Sequence, residues 1–319
     1  MRWRRGGHIY MPNGTENWAQ SHAQVPRCLP MPSGTIRVFY CSRDRKNRSQ
    51  TAWLEIDPRD PIRIVRHSAG PILSLGATGH FDDSGIMPSD VVWIGEKVYF
   101  YYVGWNVGQS ARYHTAIGLA ISRDGGEHFT KISAGPIIER SIFDPVGVSC
   151  QSIRCENGRW RTWYMSYLGW EKIDGQFEPR YHLKYAESDD GICWDIQGQV
   201  ALDMLKDEGG LACPAVIHNN DNYHMWFSTR GYRDYRRPGS SAYHIEHAVS
   251  SDGLKWERTP GIAALYAGEE GWDSHMVAYP SLFQQAGSWT MLYNGNGFGR
   301  SGFGFAKLDQ ANESGPHDS

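Results

Sequence analysis

No run in this 319-residue chain approaches the roughly 18 consecutive apolar residues of a membrane span, so no membrane partner is expected. The opening MRWRRGGHIYMPNG carries basic residues but no apolar segment of the kind a secretory signal needs. The six cysteines (Cys28, Cys41, Cys150, Cys155, Cys193, Cys213) form no CxxC pair and no zinc-ligand spacing. They read as buried free thiols that behave as small hydrophobes, which points to a cytoplasmic location. Net charge is scarce too. A formal charge of −3 gives no footprint for a polyanion, so nucleic acid is not an expected partner. No useful length shows a 3.6-residue apolar period, which excludes a helical solenoid.

The 13 histidines include His22, His80, His114, His182, His218, His224, His244, His247 and His275, spread along the chain without compact ligand spacing. No metal site and no cofactor are expected from them. His114, His182 and His244 recur at matching places and read as parts of a repeat, whereas His22, His80 and His275 lie near candidate site positions. GNGFG at 295–299 lacks the strand–turn–helix context of a dinucleotide fingerprint.

What the chain has in abundance is aromatics (13 Trp, 17 Tyr, 11 Phe), 36 Gly and 16 Pro, a composition of strands and turns. One phrase recurs five times, anchored on Pro26, Pro88, Gln151, Pro214 and Pro280, at steps of 62, 63, 63 and 66 residues. Such a period marks one supersecondary unit per repeat. Within it a short strand (Val91–Ile94, Ala215–His218, Ser281–Gln284) meets a polar turn, then an aromatic-rich strand, which reads as an antiparallel hairpin. A third strand follows (HTAIGLAIS, YHLKYAES, YHIEHAVS, SGFGFAKL), then the turns RDGGEHF, DDGICW and SDGLKW. These turns read as structural fasteners, with Trp194 and Trp256 expected to be buried.

The pattern predicts an all-β fold: a five-bladed β-propeller with four-stranded antiparallel blades, occupying 1–309 as one domain. The last repeat supplies only three strands, so an N-terminal strand near His8–Met11 is expected to complete it and close the ring. The tail 310–319 is expected to be disordered.

Positions five to seven before the anchors should converge at one mouth of the central channel. They hold Asp82 and Asp83, Asp144, Glu208, and Asp273 with His275; the first repeat has Gln20, Ser21 and His22 instead. Converging carboxylates split in pKa, which suits the acid and base of glycosidic chemistry. Trp105, Trp170, Trp226 and Tyr293 are expected as aromatic platforms. Arg43, Arg230, Asn294, Asn296 and Arg300 are expected as polar forks.

With FDDSGIMPS, SRDGGEHF, YAESDDGICW, CPAVIHNNDNYHMWFSTR, GWDSHMVAYPS and MLYNGNGFGRSGFG in place, the chain resembles the five-bladed propeller glycoside hydrolases of families 32, 43, 62, 68 and 130. It is most similar to a divergent branch of unassigned activity that accompanies bacterial polysaccharide or metabolite biosynthesis. The resemblance implies a small-molecule sugar or glycoconjugate as ligand, and in some family 43 relatives a channel cation such as calcium. By position it implies Glu208 as general acid and Asp144 as tuning group, with Asp83, Asp82 or His22 replacing the missing first-repeat carboxylate. Glu208→Gln and Asp83→Asn would then abolish turnover without unfolding the protein. Two other readings stay open. One is a transferase, phosphorylase or cyclising isomerase holding phosphate with Arg43, Arg230, Arg300 and His275. The other is a sugar-binding propeller without turnover.

Overall fold

In the computed structural model, which describes residues 1–219 and 222–309, the regular secondary structure is nearly all strand, with one four-residue helical turn at Asn296–Gly299. The tail 310–319 lies outside the described residues. After β1 (Arg2–Tyr10), the strand pairings build successive antiparallel meanders. The first joins β2 (Ser21–Pro30), β3 (Ile36–Arg43), β4 (Ser49–Asp57) and β5 (Asp60–His67). The second joins β6 (Gly85–Ile94), β7 (Lys97–Val107), β8 (Tyr113–Ser122) and β9 (Thr130–Lys131). The third joins β10 (Val148–Glu156), β11 (Arg159–Ile173) and β12 (Gln176–Ser188), with the short β13 (Trp194–Asp195) and β14 (Val200–Leu202) outermost. The fourth joins β15 (Glu208–Asn219), β16 (Asn222–Gly231), β17 (His244–Ser250) and β18 (Glu257–Arg258). The last joins β19 (Ala278–Gln285), β20 (Ser288–Asn294) and β21 (Phe303–Asp309), and β1 pairs along β21 from Arg2↔Asp309 to Tyr10↔Phe303. The architecture is a β-propeller. No helix among the described residues is long and apolar enough to cross a membrane.

Every inner strand bulges at its anchor. The register shifts fall between Gln24 and Arg27, Pro88 and Asp90, Ser149 and Gln151, Ala212 and Ala215, and Ala278 and Ser281. A bulge leaves one residue out of the ladder, which is where a proline, having no N–H, fits inside a strand. The first strands are therefore longer than the sequence predicts: they run through the anchor rather than starting after it. Side chains just past the bulge stitch inner strands together. Ser89 Oγ accepts from the Gln151 amide (2.8 Å), Ser152 Oγ from Val216 (3.0 Å) and Ser281 Oγ from Cys28 (3.0 Å). The inner strands β2, β6, β10, β15 and β19 are neighbours in that order, and β19 also lies against β2.

The Asp-Gly turns act as fasteners. In each, a serine hydroxyl and two following amides bind one aspartate: Ser122 with Asp124, Ser188 with Asp190, Ser250 with Asp252. The turn glycine then presents its carbonyl to the preceding meander. Arg37 Nη1 donates to Gly125 O (3.0 Å), Tyr101 OH to Gly191 O (2.9 Å) and Trp163 Nε1 to Gly253 O (2.7 Å). Trp194 and Trp256, expected to be buried, are only half-buried; the enclosed tryptophan at this junction is Trp163, with Trp256 packed edge-on against it.

The carboxylates expected at the mouth form a second set of fasteners, each pinned inside its own meander. Asp82 accepts from Tyr102 OH (3.2 Å) and Lys131 Nζ (2.5 Å). Asp144, fully buried, accepts from Tyr164 OH (3.1 Å), Ser166 Oγ (2.6 Å) and Lys184 Nζ (3.1 Å). Asp273 accepts from Tyr293 OH (2.9 Å) and Arg5 Nε (2.8 Å). Glu208 accepts from Thr229 Oγ1 (2.7 Å), the Leu205 amide (2.7 Å) and both Arg258 terminal nitrogens (2.7 Å each). In the three aspartates the tyrosine stands twenty residues after the acid, on the second strand of the same repeat. The equal offsets in the sequence thus reflect a repeated internal clamp.

Trp163→Ala is expected to destabilise the fold by about 3–5 kcal/mol, as for a large buried aromatic, read from urea unfolding midpoints. Glu208→Gln is expected to cost about 1–3 kcal/mol, because Arg258 loses its charged acceptor in a mostly buried site. Acid sensitivity follows from two directions of shift. Burial pulls His247 down to about 3, so below pH 6.5 the unfolded chain binds a proton that the fold refuses, and stability falls. The Arg258 clamp lowers Glu208 despite its burial, adding a further loss once pH drops below about 4.5. Melting temperature measured from pH 8 to 4 should decline beginning near pH 6.5. A flat profile down to pH 4 would refute both assignments.

Candidate functional site

Val25, Cys150, Cys213 and Tyr279 fall inside the register shifts of their inner strands, whereas Met87 stays paired with Val103 and the shift of its strand follows Pro88. Val25, Met87, Cys150, Cys213 and Tyr279 all line one central cavity of about 720 Å³. Three of them hold left-handed backbone, Val25 (φ 53°), Cys213 (φ 49°) and Tyr279 (φ 61°), a conformation costly for non-glycine residues and kept only where surrounding structure imposes it. Here that structure includes Asn294, whose Oδ1 accepts from the Val25 amide (2.7 Å), and Ser228, whose Oγ accepts from the Tyr279 amide (2.7 Å).

The walls are tyrosine and arginine. Tyr113, Tyr167, Tyr181, Tyr235, Tyr243 and Tyr279 line the cavity with Trp105 and Phe298. Tyr181 and Tyr243 share a hydrogen bond through their hydroxyls. Burial raises Tyr113 to about 12 and pushes Tyr243 and Tyr279 well above the usual phenol range, so these hydroxyls are neutral near pH 7. The lining cations are Arg43, Lys46, Arg48, Arg112 and Arg236, and among the described residues no aspartate or glutamate lines the cavity. Arg48 pairs with Asp44 (2.8 Å), while Arg236 (2.8 Å) and Arg112 (3.7 Å) share Glu178. Arg43 leans on neutral partners, Gln24 Oε1 (3.0 Å) and Asn47 Oδ1 (2.9 Å). Behind the wall Arg230, 1% exposed, donates to Tyr181 OH (2.8 Å) and stacks 3.8 Å over the Tyr235 ring. Among the described residues no carboxylate pairs with it.

Of the site residues expected from the sequence, His22, Arg43 and Trp105 line the cavity. His22 sits in left-handed backbone (φ 64°); burial, with Arg43 and Arg300 beside it, pulls it down to about 4. Asp82, Asp144, Glu208 and Asp273 are held in the clamps described above. Asp83 is spent on the Gly79 amide (2.9 Å) and the Ser84 hydroxyl (2.8 Å). None of the five lines the cavity. Trp226 and Tyr293, expected as platforms, are wholly inside the core, and Trp170 stacks on Tyr167 outside the lining. Asn294 is a buried clasp, its Nδ2 donating to the Ala23 (2.6 Å) and Gly302 (2.9 Å) carbonyls. Asn296 holds the His275 amide (2.7 Å), and His275 and Arg300 are exposed outside the lining. All six cysteines are free, but Cys155 and Cys193 are exposed and Cys28 is half-buried, so only Cys41, Cys150 and Cys213 match the expected burial.

The tyrosines were missed, although a signal exists. The pairs Tyr113-His114, Tyr181-His182 and Tyr243-His244 recur at or next to the third strands, and in each the tyrosine, not the recurring histidine, is in the cavity lining, as alternation of neighbouring side chains allows. The residues do not fit the channel calcium that the resemblance implied. Among the described residues no group of three or more His, Cys, Asp or Glu side chains is arranged to hold a metal ion, and the cavity lining offers cations where a calcium ion needs carboxylate oxygens.

Solved structures with the same fold are several. A glycoside hydrolase superposes with a TM-score of 0.72 at 14% identity, over 99% of this protein and 94% of that one. A thermostable family-43 glycoside hydrolase gives 0.70 at 17% identity, over 93% and 94%. A structure from the GH130 family of mannoside phosphorylases, described as containing glycoside hydrolases that target β-1,2 mannosidic linkages in Candida mannan, gives 0.70 at 15% identity, over 96% and 93%. These likenesses establish the fold as the β-propeller found in glycoside hydrolases. No protein-family model matches the sequence. Among curated proteins, the uncharacterized proteins Rv1502 and MT1551 of Mycobacterium tuberculosis (strains H37Rv and CDC 1551) are each 34% identical over 310 residues, spanning 97% of this chain and 100% of theirs. The chain therefore belongs to one protein family with these two mycobacterial proteins.

Proposed function

We propose that this propeller, read as five blades closed by β1, binds and processes a carbohydrate bearing a negative charge, such as a sugar phosphate or a uronic acid, in its axial cavity. One observation carries the reading: among the described residues the lining holds Arg43, Lys46, Arg48, Arg112 and Arg236 but no carboxylate, and Glu178 is shared between two of those cations. The volume suits a sugar-sized ligand, since pockets for small molecules span roughly 300–1,000 Å³. Trp105 and the tyrosines offer rings for the apolar faces of a sugar and hydroxyls for its polar edge. Arg43, with only neutral partners, is the group for the ligand's anion, and His22 beside it stays uncharged near pH 7.

Hydrolysis by a pair of funnel carboxylates has little support from this geometry. A glycosidase pair must flank the scissile bond within reach of it, whereas Asp82, Asp144 and Asp273 each bind a tyrosine and a cation of their own meanders, Glu208 binds Thr229 and Arg258, and the one buried oxygen of this set without a hydrogen-bond partner, Asp82 Oδ1, belongs to a residue outside the cavity lining. A sugar-processing role of the transferase or phosphorylase kind, or binding alone, accords better with a basic pocket.

Isothermal titration with glucose, glucose 1-phosphate and glucuronate tests the proposal. The charged ligands are expected to bind at least about tenfold more tightly, weakening as salt rises, and Arg43→Ala should remove about 1.5–3 kcal/mol of that preference. Turnover of neutral aryl glycosides that is lost in a folded Glu208→Gln variant would overturn it.

A further inference from the structure

Two members of the cavity floor are thiols, and they are consecutive around the axis: Cys150 from β10 and Cys213 from β15, which are neighbouring inner strands. The Ser149 hydroxyl donates to the Cys150 sulfur (3.8 Å), and the Cys213 side chain neighbours that sulfur. Beside Cys213 is the guanidinium of Arg27, 3% exposed. Its Nη1 donates to the Pro280 carbonyl (2.6 Å) and its Nε to that of Ser89, while its Nη2 has no hydrogen-bond partner. No carboxylate forms an ion pair with Arg27 among the described residues. Asp90, which lines a smaller cavity together with Arg27 and feels its charge, is also engaged with the amides of Val91 (2.8 Å) and Ile153 (2.5 Å).

A buried cation with a spare N–H and neutral acceptors elsewhere favours a thiolate next to it. The Ser149 hydroxyl, donating to the Cys150 sulfur and not to Cys213, marks Cys150 as the sulfur that holds negative charge, while burial keeps the proton on Cys213. The cavity gives small reagents a path to both. Cys28 also feels the Arg27 charge, but it lines the smaller cavity with that arginine and not the axial one. Cys28 and Cys41 are each pushed by burial up to about 12, and Cys155 and Cys193 are exposed without a neighbouring guanidinium.

We propose that Cys150 and Cys213 form a peroxide-oxidisable dithiol at the floor of the cavity, with Cys150 as the attacking sulfur. The Cys150 thiolate attacks one oxygen of hydrogen peroxide, the O–O bond breaks, and the departing hydroxide takes a proton to leave as water. This gives a sulfenic acid on Cys150. The Cys213 sulfur then attacks the Cys150 sulfur, the S–O bond breaks, and hydroxide leaves with the Cys213 proton as a second water. Two thiols and one peroxide thus become one disulfide and two waters. The disulfide replaces the two facing thiols of the floor.

The test treats the intact protein with hydrogen peroxide, blocks remaining thiols with iodoacetamide, and maps peptides under non-reducing conditions. The expected product is a Cys150–Cys213 linked peptide lighter by two hydrogens, formed about tenfold faster than oxidation of Cys155 or Cys193. In Cys213→Ser, Cys150 should stop at a dimedone-reactive sulfenic acid, which separates its nucleophilicity from disulfide geometry. Oxidation of Cys155 and Cys193 while Cys150 and Cys213 stay reduced would overturn the proposal, as would absence of a dimedone adduct on Cys150 in the folded Cys213→Ser variant. Neither readout depends on the sugar ligand.

Discussion

Inner strands arranged around one axis must each bring some residue to the centre, and in this protein the β-bulge decides which. The bulge takes one residue out of the ladder and rotates it inward. Pro26, Pro214 and Pro280 lie within these register shifts because that place needs no amide donor, while Pro88 stands just before the shift of its strand. The floor of the cavity, the strain held at Val25, Cys213 and Tyr279, and the seat of Arg27 all follow from that device. Serines past the bulge lock it, since Ser89, Ser152 and Ser281 accept amides from the next inner strand.

Around this centre, polar side chains do two distinct jobs. Carboxylates hold the periphery together. Those of the Asp-Gly turns organise loops whose glycine carbonyls receive Arg37, Tyr101 and Trp163, and those before the inner strands clamp tyrosine and lysine or arginine. Cations and phenols face the cavity. The segregation leaves the interior with positive charge that its own carboxylates only partly offset, and a buried charge without a partner is costly unless something else supplies one. Arg230 is the sharpest instance, enclosed and supported by the Pro179 carbonyl with tyrosine rings around it.

The same repeat that makes the architecture readable also disguises the site. Asp82, Asp144 and Asp273 recur at matching offsets, which resembles convergence on a common mouth. The structure gives another cause for the recurrence, the tyrosine twenty residues later in the same unit. Periodicity along a chain reports what each unit needs internally as readily as what all units share at the axis. The Tyr-His pairs at the third strands show the converse. Their histidines drew attention as repeat elements, while the adjacent Tyr113, Tyr181 and Tyr243 line the cavity.

From residues alone came the all-β propeller, the antiparallel hairpins with their polar turns, the fastening role of Asp124, Asp190 and Asp252, and an N-terminal strand added to the last unit. These depend on local pattern: alternation, turn chemistry and a repeat period are written within tens of residues. Tertiary structure alone decided which side chains face the axis, which acids are already engaged, and that Cys150 and Cys213 are neighbours. Those outcomes depend on bulge rotation and on contacts between units some sixty residues apart in the chain. A one-residue shift at a bulge changes the face on which every following side chain lies, and no local pattern records it.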